Sequence, residues 1–225
     1  MLAARGDSPD ARQALSDLCA LNYAPVLRFL RASGLDADDA QELAHGFFAE
    51  VLGRHSFDGV DPARGRFRSY LLGALKHFIT AQRMRDSRLK RGAGIEPERL
   101  DADTVTSHAP VPAALRSEAP DALFDREWAL AIIARALAGM EEENASAASR
   151  QVFTALKPWL SASAAPPVHA EVAARLGMSE GALRVAIHRL RKRFRELVRA
   201  AVLQTLQDET ELDSEMQHLI KALAV

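Results

Sequence analysis

The stretch ARLGMSEGALRVAIHRLRKRFREL, from Ala174 to Leu197, decides the fold of the C-terminal half of this chain. It predicts a short helix that ends at Gly177, because glycine adopts the left-handed conformation of a helix end at little cost. Ser179 follows, where its side-chain oxygen can cap the next helix. In that helix apolar residues recur at steps of four and three and predict one buried stripe: Leu183, Ile187, Leu190, Phe194 and Leu197. Two helices joined by a turn that contains glycine are typical of a helix-turn-helix.

The residues beside this stripe are predominantly basic and are predicted to face outward. A recognition helix places its N-terminal outward residues at base edges and its later cations at phosphates. We therefore expect Arg184, which can pair bidentately with guanine, to contact a base, and Arg195 to contact phosphate. The predicted DNA-contacting set is Ser179, Glu180, Arg184, Val185, His188, Arg189, Arg191 and Lys192. The alternative is an amphipathic surface helix that does not bind DNA.

The distribution of charge supports nucleic-acid binding although the total does not. The 225 residues carry 29 basic and 30 acidic side chains, so the net charge is −1. Residues 62–91 hold nine Arg or Lys and one Asp, and residues 180–201 hold seven Arg or Lys and two Glu. Residues 92–127 and 202–225 are acidic, with net charges of −5 and −4. Two basic blocks separated by acidic ones indicate two contact surfaces on one polyanion, although a solvated charge run is the alternative for either block alone.

The first basic block interleaves cations with aromatic rings. Such a pattern suits unstacked single-stranded bases, because rings stack on bases while arginines hold phosphates. The candidate residues are Arg64, Arg66, Phe67, Arg68, Tyr70, Lys76 and His77. For each ring taken singly, a place in the hydrophobic core is the favoured alternative.

Apolar spacing is helical along most of the chain, and the predicted fold class is all-α. The predicted architecture is two small helical bundles joined by a flexible linker, the second containing the helix-turn-helix. The predicted parts are a helical domain at 1–90, an acidic linker at 91–123, a second domain at 124–207 and an acidic C-terminal helix at 208–225. The predicted helices are a helix or helix pair at 11–31, one beginning near Asp36, one from Phe67, and others near 124–143, 147–160, 168–176, 179–206 and 209–223.

Several classes of protein are disfavoured by what the sequence lacks. Cys19 is the only cysteine, which excludes an internal disulfide and a cysteine-based zinc site. No signal peptide and no membrane-spanning stretch are apparent, so a cytoplasmic location is expected. His45 and His55 lie ten residues apart rather than at the four-residue spacing of a zinc helix, and no nucleophile motif or phosphate-binding glycine loop is seen. We therefore expect no enzyme, no catalytic residue, no metal and no cofactor.

Taken together, three segments resemble those of a bacterial RNA polymerase sigma factor of the extracytoplasmic-function (ECF) type. DADDAQELAHGFFAEVL (Asp36–Leu52) is similar to the helix that docks on the polymerase clamp. FDGVDPARGRFRSYLLGALKHFI (Phe57–Ile79) is similar to the segment that opens and recognises the −10 element. The stretch from His169 to Leu197 is similar to the helix-turn-helix that binds the −35 element.

The resemblance implies roles for the predicted residues. The first basic block would contact the −10 element, with His77 touching a flipped base, and the residues of the C-terminal helix-turn-helix would contact the −35 element. The implied polymerase-binding residues are Glu42, His45, Phe47 and Phe48. The implied partners are the RNA polymerase core and promoter DNA, with an anti-sigma factor or a regulatory kinase as further candidates and no membrane. The chain departs from the family where His45-Gly46 replace a Gln-acid pair and where Lys76-His77 replace an Arg-Asn pair.

Two other functions remain open from the sequence. A stand-alone helix-turn-helix regulator would bind DNA without recruiting polymerase, because fold alone does not fix function. A degenerate protein-interaction module is the other. The acidic C-terminal helix is hypothesised to pack near the basic helix of the second domain and moderate binding to DNA, or else to complete a core.

Overall fold

The computed structural model describes residues 9–53, 67–92, 120–160, 168–206 and 208–224, and it confirms the all-α prediction. Within these ranges lie eight α-helices and two short 3₁₀ helices, at Lys157–Leu160 and Glu209–Glu211. The α-helices are α1 (Pro9–Ala32), α2 (Ala37–Gly53), α3 (Phe67–Gly92), α4 (Pro120–Glu143), α5 (Ala147–Leu156), α6 (His169–Arg175), α7 (Glu180–Gln204) and α8 (Leu212–Leu223). Among the described helices, none combines the length and the apolar composition that a membrane span requires.

The first two helices follow from local sequence signals. The stretch predicted as one helix or two is the single helix α1, which continues through the buried Pro25. It ends before Gly34, whose φ of 94° is the left-handed conformation that glycine adopts readily. Asp36 then caps α2, because its Oδ1 accepts a hydrogen bond of 2.8 Å from the backbone N–H of Asp39.

The described residues group into two compact units. The first unit comprises residues up to Ala131 together with Gln204–Val225. Its core is formed by apolar side chains of α1, α2 and α3 with Phe124 from the beginning of α4; the fully buried members are Val26, Leu30, Ala40, Ala44, Phe67, Leu71, Leu75 and Phe124. Phe124 meets Phe29 edge-to-face, with ring centroids 6.5 Å apart.

This grouping corrects the predicted boundaries at 124 and 208. The beginning of α4 belongs with the first unit because Phe124 is fully buried in that unit's core. Helix α8, predicted as a separate acidic C-terminal helix, also belongs to the first unit. At the predicted linker, α3 extends to Gly92 and α4 already begins at Pro120, while residues 93–119 lie outside the described residues.

The second unit comprises Ile132–Leu203. Its core is a cluster of buried side chains from α4 to α7: Met140, Phe153, Leu156, Trp159, Val172, Ala173, Leu183, Ile187 and Leu190. The stripe predicted on α7 is confirmed, since Leu183, Ile187 and Leu190 are buried while Phe194 and Leu197 pack half-buried against the same cluster. This burial fixes which face of α7 points outward.

Candidate nucleic-acid interface

The turn before α7 is built as its sequence predicts. Gly177 has a φ of +64°, in the left-handed region that favours glycine. The N–H of Met178 donates to the carbonyl of Ala173 at 3.0 Å, which closes the end of α6. Ser179 Oγ accepts a 3.2 Å hydrogen bond from the N–H of Ala182 and caps α7. The first turn of α7 is thereby held in one position relative to α6.

The outward face of α7 presents the predicted residues to solvent. All eight are exposed: Ser179, Glu180, Arg184, Val185, His188, Arg189, Arg191 and Lys192. The Arg184 side chain is 70% exposed, and its contact with Glu180, one helical turn earlier, is a loose 3.6 Å ion pair. Exposed pairs of this kind stabilise a helix only slightly, so Arg184 can exchange Glu180 for another acceptor.

Two arginines of α7 make hydrogen bonds within the second unit, but only Arg193 is paired with carboxylates. Arg193 Nε lies 3.1 and 3.0 Å from the two carboxylate oxygens of Glu143, and its Nη1 donates to Glu196 at 3.2 Å. Hydrogen bonding to Arg193 lowers the pKa of Glu143, and the same bond is the main reason why the pKa of Arg193 is raised. Arg191 Nε donates to the carbonyl of Trp159 at 3.0 Å, which aims its guanidinium without neutralising it.

Three further cations on the exposed face of α7 are available. Among the described residues, no hydrogen bond or ion pair engages Arg189, Lys192 or Arg195. The position of Arg195 places it with the predicted contact set, because it lies seven residues, or about two helical turns, after His188 on the exposed face. The sequence could not show that Arg193 differs from its neighbours, since its partner Glu143 lies fifty positions away.

The beginning of α3, predicted to contact nucleic acid, is buried. Phe67 is completely buried in the core of the first unit, and Arg68 is only 6% exposed. Neither can stack on a base or hold a phosphate in this conformation. Tyr70 is half-buried, while Arg64 and Arg66 lie outside the described residues.

Further along α3 the surface is polar and basic. Lys76 pairs with Asp121 at 2.7 Å, and both side chains are about half exposed, so this pair is weak. His77 is exposed, as are Arg83, Met84 and Arg85 beyond it. The predicted site did not include Arg83, Met84 or Arg85. The two arginines could have been included from the sequence, because they lie in the first basic block.

The predicted polymerase-binding residues of α2 separate into two groups. Glu42 and His45 are exposed, and His45 Nε2 lies 3.0 Å from the hydroxyl of Tyr23, whose ring stacks beside it. Phe47 and Phe48 are only 2% and 7% exposed, so this conformation does not present them for the predicted contact with polymerase. Their apolar rings instead fill the core of the first unit.

Comparison with known proteins adds no assignment: no family model, no curated protein and no solved structure matches this chain. Within the described residues, no group of three or more His, Cys, Asp or Glu side chains is arranged to hold a metal ion. The interpretation of the site therefore depends on the chain's own residues and their geometry.

Proposed function

We propose that this chain directs RNA polymerase to promoters, as a protein of the ECF sigma-factor type. In this proposal the two units are the two promoter-recognising helical bundles, and α6, its turn and α7 form a helix-turn-helix that binds the −35 element. The first unit contacts polymerase through α2 and the −10 element through α3. No catalytic residue is needed, because capture of unpaired bases offsets the few kcal/mol that each unstacked base costs.

The observation that carries the proposal is the outward face of α7. Its N-terminal turn is capped, its inner face is buried, and its outer face presents Arg184, Arg189 and Lys192 to solvent. Such a helix can enter a major groove with Arg184 at base edges and the later cations at phosphates. A helix that served only to cover the core would not require this concentration of exposed cations on one face.

Three features extend the proposal from DNA binding to polymerase recruitment. The exposed pair Glu42 and His45 on α2 matches the position of the clamp-docking segment in the resemblance. The exposed residues His77, Arg83 and Arg85 on α3 offer polar and basic contacts for an opened strand. The order of the three segments along the chain is that of the family.

A second candidate is a DNA-binding regulator that does not recruit polymerase. The burial of Phe47, Phe67 and Arg68 favours it, because these residues would otherwise contact polymerase or the −10 strand. Such a regulator would use α7 in the same way and would keep the first unit for another purpose.

Co-purification with core RNA polymerase separates the two candidates. A sigma factor is expected to bind the core enzyme, and Glu42→Lys should weaken this binding by reversing an exposed charge on α2. Asp38→Lys, which reverses an exposed charge at the beginning of the same helix, is the matched control and should bind nearly as well. A chain that binds duplex DNA but never retains core enzyme would establish the second candidate.

A further inference from the structure

The acidic helix α8 covers the cation at the beginning of α3. Glu215, on the first turn of α8, is completely buried, and its Oε1 accepts a 3.1 Å hydrogen bond from Arg68 Nε. Arg68 Nη1 donates to Asp125 on α4, and its guanidinium lies over the ring of Trp128, 5.3 Å from the ring centroid. Two carboxylates and an aromatic face thus surround one cation inside the first unit.

Further contacts hold the segment before α8, and α8 itself, in place. The backbone N–H of Phe67, the first residue of α3, donates to the carbonyl of the buried Thr205 at 3.1 Å. His218, one turn after Glu215, lies 3.0 Å from Asp125 and packs at 6.1 Å from the Trp128 ring. Thr205 and Glu215 therefore contact the first two residues of α3, Phe67 and Arg68, which belong to the set that the sequence predicts to bind nucleic acid.

The chemistry of this cover matches that of the predicted ligand. An arginine beside an aromatic ring is the combination that binds a nucleic-acid strand, with the guanidinium on phosphate and the ring against a base. In the closed arrangement Glu215 supplies the anion that a phosphate would supply. The chain from Asp208 to Lys221, which includes most of α8, is also strongly acidic, since it contains five carboxylates and one lysine.

Two properties of α8 favour its release from the first unit. Helix α8 has only 12 residues, a length that is marginal for an isolated helix in water. Only part of its apolar surface is packed, because Leu219 is buried while Ile220 is 62% exposed. A buried ion pair is seldom more stabilising than apolar side chains of the same volume, so packing alone does not account for Glu215 and Arg68.

We propose that α8 is an autoinhibitory pseudo-ligand, whose Glu215 occupies the Arg68 site until a nucleic-acid strand displaces it. This inference deepens the proposed function and depends on it for the identity of the ligand, a single-stranded DNA. Displacement exposes Arg68 and the Trp128 ring on the same side of the first unit and exchanges one anionic partner for another. The free chain is thereby kept from binding single strands through its first unit.

The test compares charge-matched variants of the full chain. Glu215→Lys places a cation beside Arg68 and should expel α8, whereas Glu209→Lys makes the same charge change at an exposed position. The affinity for a fluorescent single-stranded DNA oligonucleotide is measured by anisotropy. The affinity of Glu215→Lys should be at least tenfold higher than that of Glu209→Lys. Adding Arg68→Gln to Glu215→Lys should remove this gain.

A second pair changes no charge and guards against misfolding of the first. Leu219→Ala removes the buried apolar contact of α8, and Ile220→Ala removes an exposed neighbour. The first should increase single-strand affinity and the second should not. Equal affinities within both pairs, or a gain that survives Arg68→Gln, would overturn the inference.

Transcription with core polymerase keeps this inference separate from the proposed function. If the single-strand gain appears but no variant supports transcription, the autoinhibitory contact stands and the sigma-factor proposal fails. If the wild-type chain supports transcription and both pairs bind single strands equally, α8 is a structural helix only.

Discussion

The salt dependence of DNA binding gives a quantitative prediction for α7. Besides Arg184, the outward face of α7 offers four exposed cations to phosphates: Arg189, Arg191, Lys192 and Arg195. Each neutralised phosphate contributes about 0.9 to the slope of log affinity against log salt, so four contacts predict a slope of about −3.6 from this helix. Affinity should then fall about 150-fold between 50 and 200 mM salt.

Arg195→Ala tests this reasoning, with Arg193→Ala as its control. Loss of one phosphate contact should change the slope to about −2.7 and reduce the fall over the same range to about 40-fold. The effect should be equal on promoter and unrelated duplexes, because phosphates carry no sequence information. Arg193 is held by Glu143 and Glu196, so its removal should leave the slope almost unchanged.

The measurement is fluorescence anisotropy of a labelled duplex titrated at four or more salt concentrations. An unchanged slope for Arg195→Ala would refute the assignment of this face to phosphates. An equal change for Arg193→Ala would refute the distinction between Arg193, which carboxylates neutralise, and the arginines whose charge remains available.

Three further predictions concern stability and reactivity. Leu183→Ala, at a fully buried site, should lower the free energy of unfolding of the second unit by about 2–5 kcal/mol in urea titrations. Val185→Ala, at a half-exposed site on the same turn, should change it by less than about 0.5 kcal/mol, and equal losses would show that the buried stripe is misassigned. Burial raises the pKa of the Cys19 thiol to about 12. Ellman's reagent at pH 8 should therefore react at least about a thousandfold more slowly with the native chain than with the unfolded one. Comparable reaction rates would mean that the core of the first unit opens readily. Hydrogen bonding to Arg193 lowers the pKa of Glu143 below its usual 4.5, so the stabilising contribution of Glu143 is present above that pH and is lost as the pH falls through the lower, folded-state value. The unfolding temperatures of Glu143→Gln and the wild-type chain should therefore differ slightly at pH 7 and converge in acid. A difference in unfolding temperature that widened in acid would contradict this direction.

Helices were predictable from sequence wherever periodicity and capping agreed. The step pattern of Leu183, Ile187 and Leu190, the glycine at 177 and the cap at Ser179 are local signals that report local structure. The helical character of most of the chain followed from the same kind of information. The exposed face of α7 followed as well, since a buried stripe leaves the opposite face to solvent.

Long-range pairing was the part that the sequence could not provide. Arg68 carries the same local signature as a DNA-contacting arginine, and only the fold brings Asp125 and Glu215 to it from 57 and 147 positions away. Phe47, Phe48 and Phe67 fit an amphipathic helix either as core residues or as a binding surface, and the choice is made by what packs against them. The place of α8 in the first unit depends in the same way on contacts with residues far away in the sequence.

Promoter-dependent transcription by purified core RNA polymerase tests the central claim most directly. With a promoter mapped by selection, core enzyme plus this chain is predicted to give a transcript of defined start, reduced when Arg184 is replaced by alanine. No transcript above that of core enzyme alone, from a chain that binds the same duplex tightly by itself, would contradict the account and leave a DNA-binding protein that does not initiate transcription.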